Sequence, residues 1–459
     1  MLQVSRNIVF SVLVVLFFLA CIAITINARD QEDFNLQQMG VESLVDRHTF
    51  ALGESQVPQL QPRGDVFQHN GYLYAIKQPG QFVAGAVVYQ ILSIVGIRYT
   101  TDFVLSAALV TLLTSGLAVS FIGILLFKMG YAVLADPAAS FVVAVLAVCG
   151  TMLLPYAGVS HHDTLATALF FGTFYITQHR SLLVASRRQF FWAGILLSLT
   201  LFFSMLPAAL VLALFACTSW QQTRSTRWMF WIGFGLGLVP LGLYNVVLFG
   251  SIVAFPNAAS GASDTFPFLS LANTVEKLRF YLFSPASSLW MFSPFLAFGV
   301  LGWFSFRKQF RSVGHIAAGL VFVHLAYITS IFTFGHAQFG PRYMLPVIPV
   351  CMVGIIGFLR LLSTKKPVIQ YLVWTVFAAL GSLSIAIQGV GAIIGVMYND
   401  ITVYPVPAYV QQLYAWDRVQ LPLLHLGTGL FVYTALLGVL LLWKRNRSYK
   451  KIPPFAGSF

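Results

Sequence analysis

Apolar runs recur along the chain at 8–26, 103–127, 132–154, 164–178, 190–205, 208–222, 228–248, 288–306, 313–333, 343–362, 369–397 and 427–443. Each is long enough, at roughly 16 to 28 residues, to be a buried or spanning helix, and none alternates with period two as a barrel strand would. In lipid a backbone must satisfy its own hydrogen bonds, so runs of this kind become helices. The pattern therefore predicts an all-α integral membrane protein with about twelve transmembrane helices. One further apolar segment, 81–97, is short and is followed at once by Arg98 and Asp102. It is expected to lie on the membrane as an interfacial helix. Between the first run and this segment sits the longest polar stretch of the chain, Asn27 to Gly80.

Composition agrees with the pattern. Hydrophobic residues make up 58% of the 459 and charged residues only 9%, against about 25% charged in soluble domains. Charge then orients the spans. With twelve helices and the N-terminus inside, 18 of the 27 basic residues fall in inner loops: Arg6, Lys128, three at 180–188, two at 224–227, three at 307–311, three at 360–366 and five at 444–451. That is the positive-inside distribution. Of the 14 acidic residues only Asp136 falls on the inner side. Counting 81–97 as a span would invert every later loop, which is why the interfacial reading is preferred. The net charge of +13 thus reflects topology, not a nucleic-acid partner. The four cysteines (Cys21, Cys149, Cys217, Cys351) lie inside apolar runs and read as packed thiols.

The first run is twice as long as the apolar core of a signal peptide and is expected to remain as a helix. Five loops share its far end: 27–102, 155–163, 249–287, 334–342 and 398–426. No soluble domain, repeat or low-complexity linker divides the chain. The basic tail from Lys444 to Phe459 is expected to meet anionic headgroups.

Four sets of residues on that face could carry chemistry. Asp30, Glu32 and Asp33 follow the first helix directly. A half-buried carboxylate there could serve as a general base, or the three could form a polar collar. Ser160-His161-His162-Asp163 lies between two spans. It could supply metal ligands, or Asp163 could cap the helix that follows. Lys77, in Tyr74-Ala-Ile-Lys-Gln-Pro-Gly80, could meet a lipid phosphate or simply snorkel. Arg342, in Gly335-His-Ala-Gln-Phe-Gly-Pro-Arg-Tyr-Met-Leu-Pro346, is a lone cation at an apolar boundary and suits a phosphate or diphosphate. The aromatics of the 249–287 loop read as an interfacial belt or an acceptor groove.

In this order the elements resemble those of a known family. The Asp30-Gln-Glu-Asp33 cluster, Gly71-Tyr-Leu-Tyr-Ala-Ile-Lys-Gln-Pro-Gly80, Tyr244-Asn-Val-Val-Leu-Phe-Gly-Ser251 and Phe339-Gly-Pro-Arg-Tyr-Met-Leu-Pro346 resemble elements of bacterial polytopic GT-C glycosyltransferases. These are relatives of protein O-mannosyltransferases and of the lipid A aminoarabinose transferase. The resemblance covers residues 8–362 and implies a catalytic module 1–362, followed by C-terminal helices and a basic cytoplasmic tail in 363–459. It implies a sugar donor carried on a polyprenyl phosphate, and a lipid, glycan or protein acceptor. The site would lie on the extracytoplasmic side of the inner or plasma membrane. The resemblance assigns a first-loop carboxylate as catalytic base, Asp33 ahead of Glu32 and Asp30, with Asp65 in reserve. Lys77, Arg342 and Tyr74 would contact the donor phosphate. Asp163 with His162 would match an acidic or metal-binding element, so a divalent metal ion is the one cofactor implied. Departures are Ala75 for serine, Ile76 for a polar residue and Gln37 for arginine. Two other readings stay open at this point: a transporter or flippase for a lipid-linked saccharide, and a polymerase or ligase of the same architecture. Transporters place charge near the bilayer midplane. Here only Asp136 and His324 come close.

Overall fold

The computed structural model describes residues 2–62, 64–178, 186–252, 273–306, 311–331, 338–397, 403–415 and 428–429. The expected span 427–443, all but two of its residues, and the basic tail lie outside the described residues. So do 253–272 of the long acceptor-side loop and 335–337 of the arginine element. Among the described residues the helices are α1 (Leu2–Thr25), α2 (Ala28–Asp33), α3 (Asn35–Asp46), α4 (Gly80–Ile94), α5 (Phe103–Leu134), α6 (Pro137–Cys149) and α7 (Leu153–Ala157). They continue with α8 (His162–Gln178), α9 (Arg187–Phe203), α10 (Ala208–Gln221), α11 (Arg224–Phe249), α12 (Thr274–Phe283), α13 (Leu289–Phe292) and α14 (Ala297–Trp303). The last four are α15 (Arg311–Ser330), α16 (Ile348–Leu362), α17 (Pro367–Ile394) and α18 (Val406–Ala415). A hairpin, β1 (Val66–His69) with β2 (Tyr72–Ala75), is added by the first loop.

Five of these segments are long and apolar enough to cross a membrane: Phe103–Leu134, Arg224–Phe249, Arg311–Ser330, Arg342–Leu362 and Pro367–Ile394. Shorter apolar helices accompany them. The chain is a polytopic helical membrane protein, and the boundaries depart from the hydropathy runs for local reasons. The run expected at 288–306 is broken into α13, a 3-10 turn at Pro294–Leu296, and α14. Pro294 has no N–H to continue the ladder. The Phe292 carbonyl is met by Gln388, which donates to it at 2.7 Å, and Ser293 Oγ ties the break to the end of α6 by donating to the Gly150 carbonyl at 3.0 Å. Backbone at that depth is tolerated because neighbours satisfy it. The run expected at 132–154 is interrupted by an Asp136-Pro137 start. Asp136 Oδ1 accepts from the amides of Ala138 and Ala139, so this exposed acid is a helix cap.

Segment α4 behaves as its pattern suggests. With 15 residues it is about 22 Å long, short of the ~30 Å hydrocarbon thickness. One face buries Phe82 and Tyr89, with Gly85 against Val41 of α3. The other leaves Val83, Val87, Ile91 and Ile94 exposed, a stripe at helical spacing. The first loop is more ordered than a polar run suggests. Met39, Leu52, Leu60, Ala75, Phe82, Tyr89 and Tyr99 form a second core of their own against Phe103 and Val110 of α5. Its hairpin turns on Asn70 and Gly71, both at positive φ, the usual pair for a tight two-residue turn.

Helices α9 and α11 cross backbone to backbone. A Cβ on Gly194 would meet the Phe230 carbonyl, and one on Gly233 the Phe191 carbonyl, whereas Gly235 has nothing within 4 Å. Small residues replace hydrophobic driving force in such crossings. Gly233→Ala is expected to lower stability in detergent by about 1–3 kcal/mol through overpacking. Gly235→Ala should be neutral or mildly stabilising. Thermal midpoints of the two purified variants check this, and equal shifts would refute the crossing.

Candidate functional site

The site is built where α4, α5 and α8 meet. Helix α5 contains a π turn at Leu112–Gly116. Such bulges re-aim side chains at functional positions. Here Thr114 Oγ1 accepts from Gln81 Nε2 at 3.2 Å, and the same amide donates to Ser160 Oγ at 2.9 Å. Ser115 Oγ accepts from the His161 amide at 3.1 Å. Gly80, just before Gln81, touches the far end of α9: a Cβ there would lie 2.7 Å from the Phe202 carbonyl. That close approach carries the Lys77-Gln-Pro-Gly80 turn onto the end of α9, two residues before Ser204.

His161, His162 and Asp163 are all buried. Asp163 Oδ1 accepts from Ser204 Oγ at 2.6 Å and lies 3.4 Å from His162 Nε2. Asp163 Oδ2 lies 3.6 Å from His161 Nδ1. Gln37 of α3 sends its amide to His162 Nδ1 at 3.1 Å. The expected Asp163 cap is replaced: His161 Nδ1 accepts from the Asp163 amide at 3.2 Å, and the His161 carbonyl accepts from Thr164 Oγ1. The carboxylate is thereby left to face the two rings. His161 stacks on His162 at 4.7 Å and meets Tyr156 edge-on at 5.1 Å.

Burial dominates the titration of this loop. It pushes His162 down to about 4 and His161 well below the usual range, against the pull of Asp163, with the Lys77 and Arg342 charges acting in the same downward direction. Burial would raise Asp163, but the two imidazoles, Arg342 and the Ser204 hydroxyl outweigh it, so the carboxyl is held well below its ordinary value. At neutral pH the loop therefore holds one carboxylate and two neutral rings.

Two cations converge on it from distant parts of the chain. Lys77 pairs with Asp65 at 3.0 Å. Arg342 sits at the start of the 3-10 turn that leads into α16, its guanidinium 5.0 Å over the Tyr343 ring. Among the described residues its buried Nε has no hydrogen-bond partner. Both charges act on His161 and His162, and on Asp65, whose carboxyl burial would raise but Lys77 foremost and Arg342 after it hold low.

The first-loop acids fall elsewhere. Asp30 is buried; its Oδ2 accepts from Asn27 at 3.1 Å and its Oδ1 from the Val396 amide at 3.2 Å. Gly395, at φ +127, leaves room for that carboxylate. The 394–397 segment in turn takes the Phe339 amide on the Val396 carbonyl at 2.7 Å. Asp30 thus helps to fix the segment that delivers Arg342. Asp33 pairs with Arg29 at 3.4 Å and is partly accessible. With Arg29, Asp30, Gly395, Met397, Tyr409 and Gln412 it lines a cavity of about 180 Å3. Glu32 is half-buried on the same short helix. Tyr156 lies between the two groups: the charges of Arg342, Asp163 and Asp30 all act on it, and its hydroxyl donates to the Phe339 carbonyl at 3.1 Å. Tyr74 packs in an aromatic cluster with Phe67 and Phe249.

No protein-family profile matches the chain, and no curated protein matches it. Among solved structures it is similar to two crystal structures of ArnT from Cupriavidus metallidurans. One, bound to undecaprenyl phosphate, has 15% identity and a TM-score of 0.47, and the match covers 96% of this chain and 73% of that one. The other, in the apo state, has 15% identity and a TM-score of 0.45, and the match covers 97% and 73%.

Sequence reasoning missed Gln81, Ser204 and Tyr156, and met Gln37 only as a departure from the arginine of the resembled family. Each is an ordinary residue in its own segment, and only the long-range packing gives it a partner. The buried imidazoles make a sign-definite prediction. Their folded pKa lies below the usual 6.5, so the unfolded chain binds protons first and stability falls with pH between about 6.5 and 4. The thermal midpoint of the solubilised protein should fall across that window. His162→Gln should flatten the fall, and an unchanged slope would count against the buried neutral ring.

Proposed function

We propose that the chain is a membrane glycosyltransferase that moves a sugar from a polyprenyl phosphate to an acceptor on the outer face of the membrane. One observation carries this reading: Lys77 of the first loop and Arg342 of the Phe-Gly-Pro-Arg-Tyr element act on a single buried His-His-Asp loop. Two fixed cations at an apolar boundary suit a phosphate that must leave with its charge. Preorganised cations stabilise the developing oxyanion without the reorganisation that water would need. Arg342 has a buried N–H to offer, and Lys77 can exchange Asp65 for a phosphate oxygen. The order of the four sequence elements supports the same class, and the positive-inside pattern supports the outer face.

The acceptor's proton needs a base. Of the three first-loop acids, Asp33 and Glu32 are both partly accessible but only Asp33 of the two borders the cavity, while Asp30 is engaged by Asn27 and the Val396 amide. We assign Asp33 as base and Asp30 as a positioning residue. The acceptor, whether lipid, glycan or protein, supplies a hydroxyl or amine. The sugar's anomeric carbon exchanges its bond to phosphate for a bond to that atom, and the proton passes to Asp33.

The test is transfer from a panel of radiolabelled polyprenyl-phosphate sugars by the purified protein in lipid. Lys77→Ala and Arg342→Ala should each lower kcat/KM by about 10- to 100-fold, the cost of one charge-assisted hydrogen bond. Asp33→Asn should lose turnover while keeping donor affinity. Movement of the donor across liposomes without transfer would favour a flippase and overturn the enzyme.

A further inference from the structure

His324 lies within the span Arg311–Ser330 and its side chain is fully buried. Its Nε2 stands 2.7 Å from the Tyr343 carbonyl. A carbonyl oxygen only accepts, so Nε2 carries the proton and donates it there. The other ring nitrogen, Nδ1, is buried and has no hydrogen-bond partner among the described residues. The ring thus directs its one paired nitrogen at the backbone of the segment that delivers Arg342.

The sequence of that segment explains why a donor is needed. Arg342–Val347 is a 3-10 turn, in which each carbonyl accepts from the amide three residues on. The pattern holds on both sides: the Met344 amide donates to the Pro341 carbonyl at 2.8 Å, and the Ile348 amide donates to the Leu345 carbonyl. For Tyr343 the residue three on is Pro346, which has no N–H. His324 supplies from α15 the donor that the proline withholds. Tyr343 is also the residue on which the cation rests, with the Arg342 guanidinium 5.0 Å over its ring. Upstream, the segment is fixed at Phe339, whose amide donates to the Val396 carbonyl and whose carbonyl accepts from Tyr156. His324 fixes the other side of Arg342.

We propose that His324 is a positioning residue: its Nε2–H replaces the amide missing at Pro346 and holds the Tyr343 backbone so that Arg342 is presented to the site. The consequence for ligand binding rests on the reading of Arg342 as a donor-phosphate contact. A cation fixed before the ligand arrives stabilises charge without reorganising. A cation on a loosened turn must be ordered at the moment of binding, and affinity falls by that cost.

The experiment uses the full chain in lipid nanodiscs. Deuterium exchange of the 342–348 amides reads the turn, and titration with a polyprenyl monophosphate reads Arg342. His324→Leu should speed the exchange and weaken the lipid phosphate, each by about 10-fold, the loss of one hydrogen bond. His324→Gln, whose amide can reach the same carbonyl, should retain most of both. Pro346→Ala returns a backbone N–H to the turn, so adding it to His324→Leu should restore slow exchange and affinity. A histidine that only filled the core would not be rescued in this way. In an Arg342→Ala background His324→Leu should cost no further affinity. Unchanged exchange in His324→Leu, or no rescue by Pro346→Ala, would overturn the role. So would a loss of affinity that adds in full to that of Arg342→Ala. Should His324→Leu fail to fold, the ring 15N shifts of the wild type, assigned by difference from His324→Gln, decide: a proton on Nε2 is expected, and a proton on Nδ1 alone would overturn the bond. Arg342→Ala that binds the lipid phosphate as tightly as wild type, with exchange and rescue as expected, would sink the proposed phosphate contact and leave the His324 bond standing.

Discussion

Three polar side chains buried side by side in an apolar bundle set the terms for everything around them. Asp163 cannot remain charged among helices without donors, and His161 and His162 cannot remain neutral without acceptors and donors placed for each ring nitrogen. Ser204 from the end of α9 donates to the carboxylate, Gln37 from α3 donates to His162 Nδ1, and Ser115 from α5 holds the loop by accepting from the His161 backbone amide. Each comes from a different element, so the loop before α8 is also the joint at which the first loop is pinned to the helices. A second polar seam runs beside it. Thr111 donates to Gln31, Gln38 donates to Thr111, and Tyr99 donates to Gln38 at 2.5 Å. Buried networks of this kind rigidify when satisfied, and here this one pins α2 and α3 to α5.

The same constraint separates two kinds of charge. The cations stand on the side of the histidine loop, and the first-loop acids stand towards the 394–397 segment, with Tyr156 between them. Lys77 is neutralised by the half-exposed Asp65 and not by a buried partner. A contact of that kind is cheap to exchange for a ligand oxygen. Asp30 is held by the Asn27 side chain and the Val396 amide, which makes it an anchor for the Phe339–Arg342 segment, while Asp33 is left partly accessible. On the proposed function, one short helix would serve position and chemistry with different residues three apart.

Much of the fold was legible because long apolar runs leave few choices. The spans at 103, 228, 313, 343 and 369 follow from length alone, and the interfacial character of 81–97 followed from charge. Pro294 and the Asp136-Pro137 pair were visible too, but hydropathy averages across them. The site was legible in part. His162, Asp163, Lys77 and Arg342 were singled out as rare polar residues at apolar boundaries, and the structure brings them within electrostatic reach of one another. Asp30 and Tyr74 were placed by motif, and their contacts are with backbone and with Phe67 and Phe249. Gln81 gave no signal and Gln37 stood out only as a replacement for arginine, because a glutamine on a half-polar helix looks the same whether it faces water or a buried imidazole. Its partner lies more than a hundred residues away in the case of His162.

The most direct test of the account is an experimental structure of the protein in lipid with a polyprenyl phosphate bound. The account predicts the phosphate held between Lys77 and Arg342, with the Lys77–Asp65 pair opened. A phosphate seated away from both cations, or a lipid threaded through the helices with that pair intact, would contradict it.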